Sequence, residues 1–157
     1  MNLKLQWSLK TFDELTNYEL YELLRLRNEV FVIEQNCIFL DQDNKDQKCY
    51  HLLGTLNGDL LAYTRIVPAG LSYDYPSIGR VVVSPKGRGK MYGVELMAKS
   101  IEVLEGLFGK QTIVIGAQLY LKKFYASFGF EQSSEVYDED GIDHIEMTRT
   151  SLLGNNG

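Results

Sequence analysis

The chain predicts an α/β fold (α+β in the looser usage): a mixed, mostly antiparallel sheet with one parallel central pair, flanked by helices. Three observations predict it. Apolar residues at helical spacing run from Leu20 to Phe31 and from Val94 to Phe108. Short apolar or alternating runs between and after them read as strands. One passage, from Ile78 through a glycine-rich loop and a helix to Ala117, has the length of a crossover between parallel strands.

The first element is Leu3 to Ser8, which alternates well enough for a strand. Thr16-Asn17-Tyr18-Glu19 has capping-box spacing ahead of a helix expected to run to about Glu34. Arg27 interrupts its apolar face, either as an internal ion pair or as a pocket wall, and Glu34 poses the same choice. Asn36 to Lys48 is a polar loop. Tyr50 to Leu56 and Leu60 to Val67 are strands joined at Asn57-Gly58, a strong two-residue hairpin signal. After a turn-rich loop, Ala69 to Pro76, come strand Ile78–Val83, helix Met91–Phe108 and strand Thr112–Ala117. Gln118 to Phe128 reads as a third helix closed by Gly129. Glu131 to Tyr137 and Ile142 to Arg149 form a final hairpin turning at Asp138 to Gly141. A single domain over residues 1–152 with a frayed tail, 153–157, accounts for the 157 residues.

Composition excludes several classes. The net charge of −5 argues against a nucleic-acid binder. No apolar run approaches membrane-spanning length and no signal-peptide pattern opens the chain, so a cytoplasmic protein without nucleic-acid or membrane partners is expected, with a homodimer left open. Cys37 and Cys49 read as reduced thiols. The Asp41-to-Asp46 run lacks the glycine and glutamate of a calcium loop, and no metal is expected. That run and Asp138 to Asp140 read as solvated loops, with attraction of a cationic acceptor as the alternative.

Ser84-Pro85-Lys86-Gly87-Arg88-Gly89-Lys90-Met91-Tyr92-Gly93 joins strand to helix and is the chemical centre of the chain. Amides at a helix start are unpaired and favour anions, glycines let the backbone approach, and Lys86, Arg88 and Lys90 add cations. Walker A spacing fails because Gly89-Lys90 is followed by Met91. Gly87, Gly89 and Gly93 are one residue too widely spaced for the dinucleotide fingerprint. A plain structural turn is the remaining alternative.

Arg88-Gly89-Lys90-Met91-Tyr92-Gly93 resembles the pyrophosphate loop Q/R-x-x-G-x-G/A of the GNAT superfamily of N-acetyltransferases, with Met91 where glycine is usual. Phe124-Tyr125-Ala126-Ser127-Phe128-Gly129-Phe130 matches that family's F/L-Y-x-x-x-G-F, and the element order is similar over nearly the whole chain. Leu24 to Cys37, Ile78 to Ser84, Gly116-Ala117-Gln118 and Tyr137 to Ile145 resemble the ElaA-like subgroup, in which the first loop glycine is often replaced. The resemblance implies the acyl-CoA N-acyltransferase fold and acetyl-CoA as co-substrate. It implies coenzyme contacts from Val81, Val82, Val83, Arg88, Gly89, Lys90, Met91, Tyr92, Gly93 and Gln118, with Tyr125 as general acid on the leaving sulfur. A tyrosine suits that role because its ordinary pKa of about 10 keeps it protonated. The acceptor is expected to be a small-molecule or protein amine. Glu29, Glu34, His51 and His144 are the candidates around it, Glu34 being favoured as base. A coenzyme-binding sensor or interaction domain without catalysis is the rival reading, and homoserine-lactone synthesis on the same fold a more distant one.

Overall fold

The computed structural model describes residues 4–151. The expected tail from Leu153 to Gly157, and Leu3 of the expected first strand, lie outside the described residues. Two sheets make up the fold. In the first, β1 (Gln6–Thr11), β2 (Tyr50–Leu56), β3 (Asp59–Val67) and β4 (Ser77–Val83) lie side by side in chain order, all antiparallel. In the second, β8 (Ile142–Arg149) lies between β5 (Ile113–Gln118) and β6 (Glu131–Gln132), and also pairs with β7 (Tyr137–Glu139).

The sheets meet where the parallel pair was expected. Val114 N–H donates to the Pro76 carbonyl at 3.2 Å, tying the N-terminal ends of β4 and β5 together. Above that bond the two strands belong to different sheets. The central pair is closed at its base and open toward its C-terminal end.

Helix α2 (Tyr92–Phe108) holds the sheets together from one side. Its Met97, Ile101 and Leu104 pack in one cluster with Ile66 and Ile78 of the first sheet and Ile113, Ile115, Ile145 and Met147 of the second. Helix α1 (Asn17–Arg27) covers the opposite face of the first sheet, where Leu23 and Leu26 cluster with Leu53, Tyr63 and Val82. The capping box is present: Thr16 Oγ1 accepts from Glu19 N–H at 3.1 Å, and Glu19 Oε1 accepts from Thr16 N–H at 2.9 Å. At the β2–β3 turn Asn57 and Gly58 both have positive φ, 52° and 85°, as a twist-matched two-residue hairpin requires.

Three elements differ from expectation. The first helix does not continue as α-helix to Glu34; after Arg27 it becomes a π-helical segment, Asn28–Glu34. The wider turn re-aims the side chains around it: Arg27 points inward to buried aspartates, Val30 stays buried and Glu34 reaches the glycine loop. The third helix is a 3-10 turn, Leu119–Leu121, followed by a short α3 (Lys122–Ala126). The expected strand Glu131–Tyr137 is split into β6 and β7, because Ser134 Oγ takes the Glu146 N–H at 2.8 Å that a strand neighbour would have used.

Strand β4 is itself irregular. Val82 pairs with Tyr63 and Gly79 with Arg65, so both Arg80 and Val81 stand against Thr64. Arg80 has φ of 50°. This bulge lies at the opening between the sheets, where bulges re-aim a strand's groups.

Candidate functional site

A cavity of about 870 Å³ occupies the opening between β4 and β5. Gly79 to Val83 line it on the β4 side, Gly116 and Gln118 on the β5 side, and Tyr125 lines it as well. Of the residues singled out from the sequence, Val81, Val82, Val83, Arg88, Gln118, Tyr125, Glu34 and His144 line it.

Gly89, Lys90, Met91 and Gly93 continue from Arg88 at the cavity's mouth into the start of α2. Glu95 N–H, bonded to Met91 O at 3.2 Å, is the first α2 amide with a helical acceptor. The amides before it belong to the positively polarised end of a 17-residue helix, and Met91 caps it with no side-chain hydrogen bond. A Cβ on Gly93 would meet only Val83 Cγ2, at 3.9 Å, and one on Gly89 would meet nothing within 4 Å. There is room here for a phosphate to reach the backbone. Tyr92 differs from expectation: its side chain is buried beneath the loop beside Gly87, leaving only its backbone for a ligand.

Arg88 is engaged by Glu34, its two terminal nitrogens donating to the two carboxylate oxygens at 2.8 and 2.6 Å. The hydrogen bonds and charge of Arg88 hold the Glu34 carboxyl below the usual range. Glu34 is therefore paired with Arg88 at the cavity's rim, where its reading as a base left it without such a partner. Glu29 does not line the cavity, but its charge acts on Arg88. Gln118 Nε2 donates to Gln35 Oε1 at 3.2 Å, linking the end of β5 to the end of the π-helical segment.

Tyr125 is 6% exposed, edge-on to Phe124 and Phe130. Among the described residues its hydroxyl has no hydrogen-bond partner. Burial, aided by Tyr120, pushes its pKa up to about 12. The proton stays on the oxygen.

His51 lies away from the cavity, in the core. Its Nε2 faces the Asp46 carbonyl at 2.9 Å and its Nδ1 the Tyr63 hydroxyl at 2.7 Å. A carbonyl only accepts, so Nε2 carries the proton and Nδ1 accepts from Tyr63. Burial lowers the His51 pKa and keeps it neutral. It is a structural histidine.

The aspartate loop is the largest correction. Asp41 and Asp46 are buried, and with Asp43 they interleave with Arg27, Arg65 and Arg80. Arg65 donates to Asp43 through both terminal nitrogens at 2.8 Å and to Asp46 at 2.9 Å. Arg80, at the β4 bulge, donates to Asp41 Oδ1 and to the Asp41 carbonyl, both at 2.8 Å. Burial alone would raise the Asp43 carboxyl; the hydrogen bonds and charge of Arg65 outweigh it and hold that carboxyl well below the usual range. The network fixes the loop against the bulge, and Asp43, Arg65 and Arg80 show one side of it to the cavity.

Tyr73, Tyr137 and Glu139 also line the cavity and were not singled out. The signal for the last two was present. A two-residue turn at Asp140-Gly141, both with positive φ, sets Tyr137 opposite His144 and Glu139 opposite Ile142. Placing the turn across four residues concealed that register. Among the described residues no group of three or more His, Cys, Asp or Glu side chains could hold a metal ion, and no helix is long and apolar enough to cross a membrane.

Residues 38–151 match the model of the acetyltransferase (GNAT) domain. Protein ElaA of Escherichia coli is 42% identical over 147 residues, covering 92% of this chain and 96% of that protein. Its crystal structure superposes with a TM-score of 0.86 over 92% of this chain and 99% of that one. An acyl-CoA N-acyltransferase from Pseudomonas aeruginosa is 39% identical, with a TM-score of 0.89 over 93% and 99% of the two chains. A GNAT family acetyltransferase from Elizabethkingia anophelis, solved with acetyl-CoA bound, shares the fold at 17% identity, with a TM-score of 0.63 over 95% and 99% of the two chains. The family match spans β2 to β8, the glycine loop and the cavity-lining Tyr125, and the chain belongs to the GNAT acetyltransferase family.

Proposed function

We propose that the protein is an acetyl-CoA-dependent N-acetyltransferase that moves the acetyl group directly to the primary amine of a small-molecule or protein acceptor. The observation that carries this reading is Tyr125: a buried side chain whose hydroxyl is unpartnered among the described residues, held protonated, and lining the cavity where β4 and β5 part. The likeness to an acyl-CoA N-acyltransferase from Pseudomonas aeruginosa supports it. When bound, acetyl-CoA supplies an activated acyl carbon on a sulfur leaving group.

The residues fit such a co-substrate. The open edge of β4 at Val81 to Val83 offers backbone groups to an extended amide-bearing arm, as an added strand would. The amides from Gly89 to Gly93, with Arg88 and Lys90, suit a pyrophosphate. In this reading a backbone N–H near Val82 or Val83 meets charge developing on the acyl oxygen. Tyr125 holds a proton where a departing sulfur needs one.

Calorimetry with acetyl-CoA, and with NAD and ATP as controls, tests the reading. Acetyl-CoA alone should bind, and Arg88→Glu should weaken it by about 1.5–3 kcal/mol. Tyr125→Phe should bind normally and lose thiol release with amines. Absence of acetyl-CoA binding would remove the coenzyme reading. Full turnover by Tyr125→Phe would remove the tyrosine from the chemistry.

A further inference from the structure

We propose that His144, keyed by Ile142 and Glu139, is the group that takes the proton from the acceptor, and that this acceptor is a primary alkylamine arriving as an ammonium ion with no acidic group beside the nitrogen. The proposal rests on the acetyltransferase reading above and adds to it a base, an amine seat and a substrate class.

The β7–β8 hairpin builds the site. Tyr137 and His144 are register partners whose rings stack at 5.9 Å and 28°. His144 Nδ1 lies 2.8 Å from the Ile142 carbonyl, which only accepts, so Nδ1 carries a proton. The other nitrogen, Nε2, faces Glu139 Oε2 at 3.3 Å. In a neutral imidazole those two atoms present lone pairs to each other. A proton received at Nε2 is met by that carboxylate, which is the geometry an acceptor of the amine proton needs.

The surroundings suit a cation. The Tyr73 and Tyr137 hydroxyls converge over Gly116 of β5; a Cβ there would come within 3.0 and 3.2 Å of them. Glycine leaves that space for the two hydroxyls themselves, and two neutral hydroxyls beside a carboxylate can accept N–H donors. The nearby guanidinium groups are already engaged by carboxylates, Arg65 and Arg80 by aspartates and Arg88 by Glu34, whereas Lys45 donates only to Ser72 Oγ at 3.0 Å. Among the described residues that line the cavity, no free guanidinium waits for a carboxylate next to the amine, which disfavours α-amino acids.

The step balances. The ammonium gives one proton to His144 Nε2, and its freed lone pair forms the N–C bond to the acyl carbon. The C–S bond breaks, with Tyr125 delivering its proton to sulfur. The new amide nitrogen returns a proton to the Tyr125 oxygen, and His144 releases its proton to solvent. Ammonium and thioester become amide, thiol and one proton.

The test is thiol release at saturating acetyl-CoA with cadaverine, Nα-acetyl-lysine and glycine. Wild type should turn over at least one of the first two and discriminate against glycine by about 100-fold or more, as expected when a carboxylate finds no partner; which of the two is preferred separates a small amine from a protein lysine. His144→Gln should lower kcat on the order of 100-fold, the size of lost general-base catalysis, with calorimetric acetyl-CoA affinity unchanged. Glu139→Gln should lower kcat about tenfold, the lower end for a group acting through the base, and shift the ¹⁵N signal of His144 Nε2, readable because the chain has 2 histidines. Gly116→Ala should raise the KM of the amine alone. Near-normal kcat in His144→Gln, equal use of glycine, or no acetylation of either alkylamine by protein that binds acetyl-CoA would each overturn the proposal. Failure to bind acetyl-CoA would instead overturn the acetyltransferase reading, and this one with it.

Discussion

Arg88 meets Glu34 at 2.8 and 2.6 Å at the rim of the cavity, and Arg27 meets Asp41 and Asp46 at 2.8 Å each beneath it. The contact lengths are nearly the same. Exposure separates them: the Arg88 and Glu34 side chains are 46% and 43% exposed, whereas those of Arg27, Asp41 and Asp46 are 0%, 4% and 7% exposed. An exposed pair is worth at most about 1 kcal/mol, because water competes for both partners. A buried charge that loses its partner has no such recourse. The outer pair is therefore a contact that a ligand can exchange, and the inner network is scaffold.

Breaking the inner network should give the largest effect. Arg27→Met should destabilise the protein by about 3–5 kcal/mol in urea unfolding, because it removes the fully buried guanidinium between Asp41 and Asp46 and leaves one arginine on each, Arg80 and Arg65. It also removes a guanidinium 5.9 Å from the Tyr63 ring centroid. A loss below about 1 kcal/mol would mean that water reaches the aspartates.

Acid should separate the two regions next. Burial tends to raise the Asp43 and Asp46 carboxyls, but arginine hydrogen bonds and charge win and hold both low. Their stabilisation is present above the ordinary carboxylate pKa of about 4 and is lost as pH falls through the lowered folded values. His51, kept neutral by burial, adds a loss that begins below the ordinary histidine value of about 6.5, because the unfolded chain binds the proton the core refuses. The urea midpoint should fall between about pH 7 and about pH 3, less steeply in Arg27→Met. A pH-independent midpoint would contradict the network's role.

The outer pair should give the smallest change in stability and the clearest change in binding. Glu34→Gln should shift unfolding by under about 1 kcal/mol. Acetyl-CoA affinity should rise several-fold, since Arg88 no longer has to leave a carboxylate before meeting phosphate. Unchanged affinity would show that the pair and the coenzyme do not share the arginine.

Local signals made much of the fold legible. Asn57-Gly58, the Thr16–Glu19 box, and the apolar spacing of Val94 to Phe108 each specify an element through neighbours a few residues away. The glycine loop at the start of α2 and the Tyr125 segment were legible as local patterns for the same reason. What escaped depends on distant partners. The run Asp41 to Asp46 looks like solvated surface until Arg27, Arg65 and Arg80, 14 to 39 residues away, close around it. His51 could not be told from a site histidine without Tyr63 and the Asp46 carbonyl. The π-helical turn after Arg27 is tied to the same network, since Arg27 must face inward while Glu34 reaches Arg88.

The parting of β4 and β5 has a consequence for solubility. Each strand has a neighbour on one side only, so the split leaves two open strand edges, the kind of surface by which proteins adhere to one another. Other proteins blunt such edges with charge, proline or a covering loop. Here the two edges face each other across a concave space, joined at the base by the Val114–Pro76 bond. A slender flexible arm can enter that space, while the flat edge of another folded sheet cannot. The opening's shape suits an extended arm better than a second sheet edge.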